Sequence, residues 1–197
     1  MSHYIFKPMP SNGYGDHPFT TWGDSLSADE IKAVQEMVLG VELDKAVIGD
    51  NKLVEGYRSS KVSWLHYGSD TEWLFDRIAH VVGNLNSQFY GFDLHGLCES
   101  IQFTEYHASE KGHYDWHQDC GPNTVAPRKM SIVIQMSDPA DYEGGELEIL
   151  TSREPTSVDR QMGLATVFPS FMLHRVTPVT KGIRRSLVAW IAGPKFR

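Results

Sequence analysis

The sequence predicts a mainly β protein with flanking helices: a jelly roll, or double-stranded β-helix, supported by an N-terminal helical layer. Three observations carry this. After Gly91 the chain breaks into many short apolar stretches rich in β-branched residues. Turn signals separate them, at Gly121-Pro122-Asn123, Asp138-Pro139, Gly144-Gly145, Gly163 and Lys181-Gly182. Before Gly91, two segments with helical apolar spacing each follow a Ser-x-x-Glu capping signature. Many short strands joined by turns fit a sandwich or barrel.

The elements follow in order. The first 25 residues are rich in Gly, Pro, Asn and Asp and read as irregular. Ser27-Ala28-Asp29-Glu30 is a capping box, with Ile31, Val34, Met37 and Val38 at helical spacing behind it and Gly40 placed to stop the helix. Residues 41–68 mix short apolar pieces with Gly and Ser, which predicts strand fragments and loops. Ser69-Asp70-Thr71-Glu72 repeats the capping signature, and Leu74, Ile78, Val81, Leu85 and Phe89 predict an amphipathic helix over 70–90. Residues 99–106 alternate, with Ile101 and Phe103 against Gln102 and Thr104. Further strands are expected at 130–136, 147–150, 164–168, 173–176 and 185–191. The whole reads as one domain over 1–197, with 1–98 as helical and strand support and 99–197 as the jelly-roll core.

Composition narrows the function. A chain of 197 residues, 41% hydrophobic and 22% charged, suits one globular domain with a sizeable core. No apolar run approaches the length of a bilayer span. Met1 to Pro8 lack the basic head and apolar stretch of a secretory signal. Cys98 and Cys120 are too few for a disulfide scaffold, so free thiols in the cytoplasm are expected. A net charge of −7 disfavours nucleic acid as a partner, since that affinity rests on clustered Lys and Arg. The only tight basic group is Lys181, Arg184 and Arg185.

The residues that carry chemistry are His117-Gln118-Asp119, the distant His174, and Arg184 ten residues beyond it. Two His and one Asp cap one face of an octahedral ion and leave three positions open, a pattern suited to non-haem iron(II). A closed structural zinc site uses four protein ligands, usually with more sulfur. Side chains two apart on a strand share a face, so His117 and Asp119 project together. The same parity admits a rival pair, His113 and Asp115, and parity alone does not choose between them.

The surrounding residues resemble a known family. These are Tyr106, then residues 112–119 (Gly-His-Tyr-Asp-Trp-His-Gln-Asp), Glu143-Gly144-Gly145-Glu146-Leu147, Gly163, Phe168-Pro169, His174-Arg175-Val176-Thr177-Pro178-Val179, Gly182-Ile183-Arg184-Arg185-Ser186 and Trp190. In this order they are similar to the prolyl-4-hydroxylase branch of the 2-oxoglutarate- and iron(II)-dependent dioxygenases. The resemblance covers residues 99–192. It favours His117 over His113, because the family places a tyrosine three residues before the liganding His, as Tyr114 stands here. Residues 1–98 resemble the family only in general layout.

The resemblance implies that His117, Asp119 and His174 hold iron(II), and that Arg184 pairs with the distal carboxylate of 2-oxoglutarate. Ser186 shares the face of Arg184 and is placed to add a hydrogen bond, whereas Arg185 faces away. Tyr106 matches a tyrosine that lines the cosubstrate pocket in relatives. Where the family often has Tyr-Leu-Asn, this chain has Gln135-Met136-Ser137. Gln135 either replaces the tyrosine's hydrogen bond or leaves the cosubstrate seated differently. Tyr114 and Trp190 match positions near the substrate mouth, and equally fit as core aromatics. Arg58 sits in a segment readable as a lid or as a solvated loop.

The implied activity consumes 2-oxoglutarate and dioxygen, releases succinate and carbon dioxide, and hydroxylates a C–H bond, with a peptidyl proline as the leading substrate. Ascorbate is expected to support it. A hydroxylase of a small free substrate such as an amino acid is the alternative, since an open groove suits a peptide and a closed pocket a small molecule. Repair of alkylated nucleic acid is disfavoured, because Leu187-Val188-Ala189-Trp190 stands where those enzymes carry a second arginine. A non-catalytic metal-binding jelly-roll module is the reading from another class. The sequence does not indicate an oligomeric state.

Overall fold

The computed structural model describes residues 17–41, 43–46, 56–122 and 125–194. In chain order the elements are β1 (Thr20–Trp22), α1 (Ala28–Val38), β2 (Asp44–Lys45), β3 (Arg58–Ser59), β4 (Lys61–Leu65), α2 (Glu72–Leu85), β5 (Gly96–Leu97), β6 (Ile101–His107) and β7 (His113–His117). They continue with β8 (Arg128–Gln135), β9 (Tyr142–Gly144), β10 (Leu147–Leu150), β11 (Pro155–Ser157), β12 (Ala165–Pro169), β13 (His174–Val176) and β14 (Val179–Ala192). Among the described residues no helix is long and apolar enough to cross a membrane.

The strands form two curled antiparallel sheets, the jelly roll expected. The large sheet runs β1-β12-β8-β14-β6-β4-β2, with β5 and β9 also pairing β14. The small sheet runs β11-β10-β13-β7-β3. Residues ahead of 98 therefore do more than support: β1, β2 and β4 extend the large sheet and β3 the small one. The strand β1 lies in a segment expected to be irregular. Thr20 to Trp22 pair with Val167 to Ala165, an edge that local composition does not signal. Of the 41–68 segment, residues 42 and 47–55 lie outside the described residues, as does Asn123 of one expected turn.

The helices form for the reasons the sequence supplies. Ser27 caps α1: its Oγ accepts from the Glu30 amide at 3.3 Å, and Glu30 Oε2 accepts from the Ser27 amide at 2.8 Å. Ile31, Val34 and Val38 are buried. Gly40 follows with φ of 82°, the left-handed region that glycine occupies without a Cβ clash. The second capping signature does not act as one. Thr71, not Ser69, is the N-cap of α2, and it makes no side-chain cap bond. The chain first turns at Gly68, whose carbonyl accepts from the amides of Thr71 and Glu72. That turn delays helix entry, and the Glu72 carboxylate instead accepts from Tyr67 Oη at 2.8 Å. The stripe Leu74, Ile78, Val81 and Leu85 is buried as expected. The last expected turn, Asn86–Tyr90, is a π turn closed by Gly91.

Both helices cover one face of the large sheet. Ile101, Phe103, Met130, Ile132, Ile134, Ala165, Val167, Leu187, Ala189 and Ile191 join them in the main core. Alternation then sends Gln102, Thr104 and Tyr106 to the opposite face of β6, and Ser131, Val133 and Gln135 to that of β8. Arg184, Ser186, Val188 and Trp190 do the same on β14. The predicted phase of β6 is correct, but its polar face does not meet water. Gln102 is 5% exposed and Thr104 0%, because that face looks across the roll to the small sheet. A small second core, with Leu147, Ile149 and Phe168, closes one part of this interior.

The strand β14 runs straight through the expected turn at Lys181-Gly182. Gly182 has φ of 68°, and a Cβ there would strike the Asp141 carbonyl. The pairing with β9 shifts register between Val179 and Lys181, so glycine here marks a bulge where the strand bends. Beyond it, Ile183 onward pairs with β6 and Ser186 onward with β8.

Candidate metal centre

The ends of two neighbouring strands bring the triad together. His174 on β13 pairs directly with His117 on β7. Asp119 follows β7 by two residues, and its amide donates to the Ser170 carbonyl at 2.9 Å. Ligand atoms of His117, Asp119 and His174 all lie within 4.8 Å of one another, the sole such grouping among the described residues. His117 Nε2 stands 3.7 Å and His174 Nε2 3.6 Å from the Asp119 carboxylate oxygens.

Backbone carbonyls prepare both imidazoles. His117 Nδ1 lies 2.8 Å from the Asp115 carbonyl, and His174 Nδ1 lies 2.9 Å from that of Met172. A carbonyl only accepts, so each Nδ1 carries the proton and each Nε2 turns a lone pair inward. Burial, with repulsion from His174, pushes the His117 pKa down to about 3, so this ring is neutral at ordinary pH. For Asp119, burial opposes the charge. The imidazoles of His174 and His117 and the Ser131 hydroxyl outweigh it and hold the carboxyl below its usual range. Ser131 Oγ donates to Asp119 Oδ2 at 2.6 Å and also meets Ser170 Oγ at 3.0 Å. Two imidazoles with their Nε2 atoms turned inward and one carboxylate form the donor set that suits iron(II).

The rival pair is not part of this cluster. Between Tyr114 and His117 the pairing with β13 shifts by one residue, a bulge that breaks the parity of the strand. His113 binds backbone carbonyls of Lys111 and Gly56 instead, and Asp115 is exposed. The same bulge lets Tyr114 lie against His117, with ring centroids 3.5 Å apart and planes 13° from parallel. Arg58 sits over the other residues of this group, 4.5 Å from the Tyr114 ring centroid. It is neither a lid residue nor a solvated charge. The β3–β7 pairing fixes its backbone, and its guanidinium donates to Ser60 Oγ at 2.8 Å and Gln102 Oε1 at 3.0 Å.

Away from the triad, the interior opens into a small pocket lined in part by Val133, Gln135, Tyr142, Leu147, Thr166 and Arg184. Ser131, which holds Asp119, and Val133, which lines the cavity, are successive inward positions of β8, roughly 6–7 Å apart. Arg184 is 3% exposed, yet no carboxylate among the described residues lies within ion-pair distance of it. Its backbone pairs with Tyr106, whose ring centroid is 5.5 Å from the guanidinium carbon. Glu146 is near enough to feel the Arg184 charge and the Tyr142 hydroxyl meets it, but a buried guanidinium without a close ion pair is costly, and a bound anion offsets that cost. Arg185, one residue on, faces the opposite way and pairs with Glu105 at 2.7 Å. Ser186, 1% exposed, is next inward from Arg184, opposite Gln135.

Trp190 lies beneath the surface, 7% exposed, with the Arg128 guanidinium 3.7 Å over its ring. Its indole N–H is the one buried side-chain polar atom without a hydrogen-bond partner among the described residues. It is close enough to Asp119 to favour that charge but misses hydrogen-bond geometry. An unmet donor beside three ligand atoms fits a centre that takes further ligands.

Sequence reading did not single out Ser131, Tyr142 or Trp64. Ser131 has the inward parity of Gln135, a signal that was present. Tyr142 directly precedes the Glu143-Gly144-Gly145 motif, but nothing local shows that its strand turns it inward. Trp64, 40% exposed, stands near Trp190 at the rim, with ring centroids 6.3 Å apart. The double glycine has a packing reason. A Cβ on Gly145 would lie 2.8 Å from Val179 Cγ2 and 3.0 Å from Arg184 Cδ.

The comparisons agree with this geometry. The 2OG-Fe(II) oxygenase superfamily matches residues 101–192. A PKHD-type hydroxylase of Synechococcus sp. is 40% identical over 176 residues, covering 86% of this chain and 75% of that protein. Another, of Alteromonas mediterranea, is 42% identical over 89 residues, covering 42% of this chain and 39% of that protein. Among solved structures, a prolyl hydroxylase from Trichoplax adhaerens in complex with a hypoxia inducible factor peptide fragment has a TM-score of 0.75 at 17% identity. That likeness covers 89% of this chain and 84% of the other, and it shows a shared fold. The chain belongs to the 2OG-Fe(II) oxygenase superfamily and, within it, to the PKHD-type hydroxylases.

Proposed function

We propose that the chain is an iron(II)- and 2-oxoglutarate-dependent dioxygenase that hydroxylates a C–H bond of a peptidyl proline. One observation carries this reading: a buried arginine, Arg184, with no carboxylate at ion-pair distance among the described residues, opens onto a pocket near a buried His-Asp-His cluster. A structural metal site has no need of such a charge. A dicarboxylate that must reach both the ion and a fixed cation does.

His117, Asp119 and His174 hold iron through the two inward Nε2 atoms and the carboxylate. Arg184 takes the distal carboxylate of 2-oxoglutarate, with Ser186, Tyr106 and Gln135 on the same interior face. Bound iron and 2-oxoglutarate supply the oxidising chemistry: with dioxygen and a C–H substrate, the products are succinate, carbon dioxide and the hydroxylated substrate. The protein's share is to position, to neutralise charge and to exclude water. The backbone carbonyls of Asp115 and Met172 keep the imidazoles in the ligating tautomer. The Ser131 hydroxyl keeps one Asp119 oxygen occupied.

Tyr114, Trp190 and Arg58 are the residues assigned to substrate, a reading supported by Tyr114 stacking on His117, Arg58 lying over Tyr114 and Trp190 standing beside Asp119. The peptide fragment in complex with the Trichoplax enzyme supports a peptide or protein substrate. Cys98 and Cys120 are free thiols, which suits a reducing, cytoplasmic setting.

The test is succinate release from 2-oxoglutarate with iron(II), ascorbate, dioxygen and proline-rich peptides, beside a His174→Ala control. The expected result is release by the parent protein alone, with one oxygen atom added to a prolyl residue. Equal background release from both proteins would sink the reading. Turnover with a free amino acid but no peptide would replace the substrate while keeping the chemistry.

A further inference from the structure

We propose that Tyr142, on β9, binds the distal carboxylate of the cosubstrate alongside Arg184, and that Gln135 acts by orienting the Tyr142 phenol. The inference rests on the dioxygenase reading above and assigns a residue that the reading does not use.

Gln135 occupies the position where relatives often carry a tyrosine. Its amide does not point at empty space. Nε2 donates to Tyr142 Oη at 2.8 Å and reaches the Ser137 carbonyl at 3.4 Å. The Ser137 carbonyl only accepts, so it fixes which end of the amide faces the phenol. Tyr142 Oη therefore receives a hydrogen bond and keeps its own hydrogen to give. Among the described residues nothing accepts that hydrogen. A tyrosine hydroxyl thus reaches the pocket from β9, which pairs β14 as β8 does.

The ring is held in place. Tyr142 is 1% exposed, with the Arg160 guanidinium 4.8 Å over its ring. Arg160 is itself pinned to the carbonyls of Gly144 and Pro139, both at 3.3 Å. Burial raises the phenol pKa against two nearby guanidiniums, so the group remains a neutral donor. Gln135, Tyr142 and Arg184 all line the one cavity. A guanidinium and a pre-aligned hydroxyl converging on one space make a carboxylate site of higher specificity than a lone arginine.

The experiment is calorimetric binding, without oxygen, to iron(II)-loaded protein. The ligands are 2-oxoglutarate and 2-oxovalerate, which carries a methyl in place of the distal carboxylate. A hydrogen bond to a charged group predicts that Tyr142→Phe weakens 2-oxoglutarate about tenfold or more and leaves 2-oxovalerate unchanged. Gln135→Leu should weaken it in the same sense, and the double variant by less than the product of the two. A thermal melt of Tyr142→Phe close to that of the parent accompanies this. Unchanged 2-oxoglutarate affinity overturns the proposal while the dioxygenase reading stands. So does equal weakening of both ligands, or an effect of Gln135→Leu without one of Tyr142→Phe. Failure of the parent protein to bind 2-oxoglutarate removes both together.

Discussion

Tyr114 and His117 stack ring on ring although they stand three residues apart on one strand, where strict alternation would send them to opposite faces. The bulge between Tyr114 and His117 makes this possible, and it gives the ligating imidazole a flat wall as well as a tethered Nδ1. Aromatic stacking of this kind contributes about 0.5–1.5 kcal/mol. Tyr114→Ala is therefore expected to weaken iron(II) binding about threefold to tenfold, and Tyr114→Phe to leave it intact. A metal titration monitored by calorimetry checks both.

Ser131 acts on the other side of the centre. It is fully buried, and its hydroxyl holds Asp119 Oδ2. Removing a hydrogen-bonding partner of a ligand costs about tenfold to a hundredfold in metal affinity. Ser131→Ala should show such a loss while its far-ultraviolet circular dichroism matches the parent. Unaltered affinity would mean that the carboxylate is oriented by the Ser170 backbone alone.

The lack of a close ion pair at Arg184 predicts opposite effects on binding and stability. Arg184→Met should abolish measurable 2-oxoglutarate binding. It should also raise the stability of the ligand-free protein by about 1 kcal/mol or more, because a buried charge whose carboxylate neighbour Glu146 stands beyond ion-pair distance is replaced by an apolar chain. Arg184→Lys should keep the fold and weaken binding about tenfold, since the two-pronged geometry is lost. Denaturant unfolding and calorimetry separate the two effects. A destabilised Arg184→Met would show that the charge is satisfied within the protein.

Gly145 couples the β9–β10 connection to the anchor. With φ of 66° and Arg184 Cδ at 3.0 Å from a Cβ, Gly145→Ala strains the backbone and pushes the anchor at once. A stability loss of about 1–3 kcal/mol and a rise in the KM for 2-oxoglutarate are expected. Gly83→Ala is the control, because nothing lies near its Cβ.

The outer face offers a pH prediction. Burial of Glu105 opposes its charge, but hydrogen bonds from Arg185 and His107 prevail and hold its pKa below the usual value. A carboxylate depressed in the folded state contributes stability above its unfolded pKa, and loses it as pH falls through the folded value. Glu105→Gln should therefore be less stable than the parent at neutral pH, with the gap closing below about pH 4. Paired denaturant titrations at the two pH values check this.

Much of the site was legible because it is written locally. His117, Asp119 and Arg184 sit in motifs with fixed spacing, the alternation of β14 put Ser186 on the face of Arg184, and Tyr106 came from the family resemblance. What escaped was set by distant chain. The bulge that separates His117 from His113 exists only against β13. Arg58 is positioned by pairing with Tyr114, far along the sequence. Tyr142 turns inward because β9 pairs the bent start of β14, which the sequence reads as a turn at Gly182. The capping signature at Ser69 fails because Gly68 had already turned the chain.

The strand β14 carries both requirements in one reading frame, since odd positions from Leu187 to Ile191 meet the helices while even positions from Arg184 to Trp190 face the interior between the two sheets. Inserting or deleting a single residue there would exchange the two sets, placing apolar chains where the diacid sits and a guanidinium against the helices. A change of length is therefore expected to be tolerated in the connections between strands and not within this one.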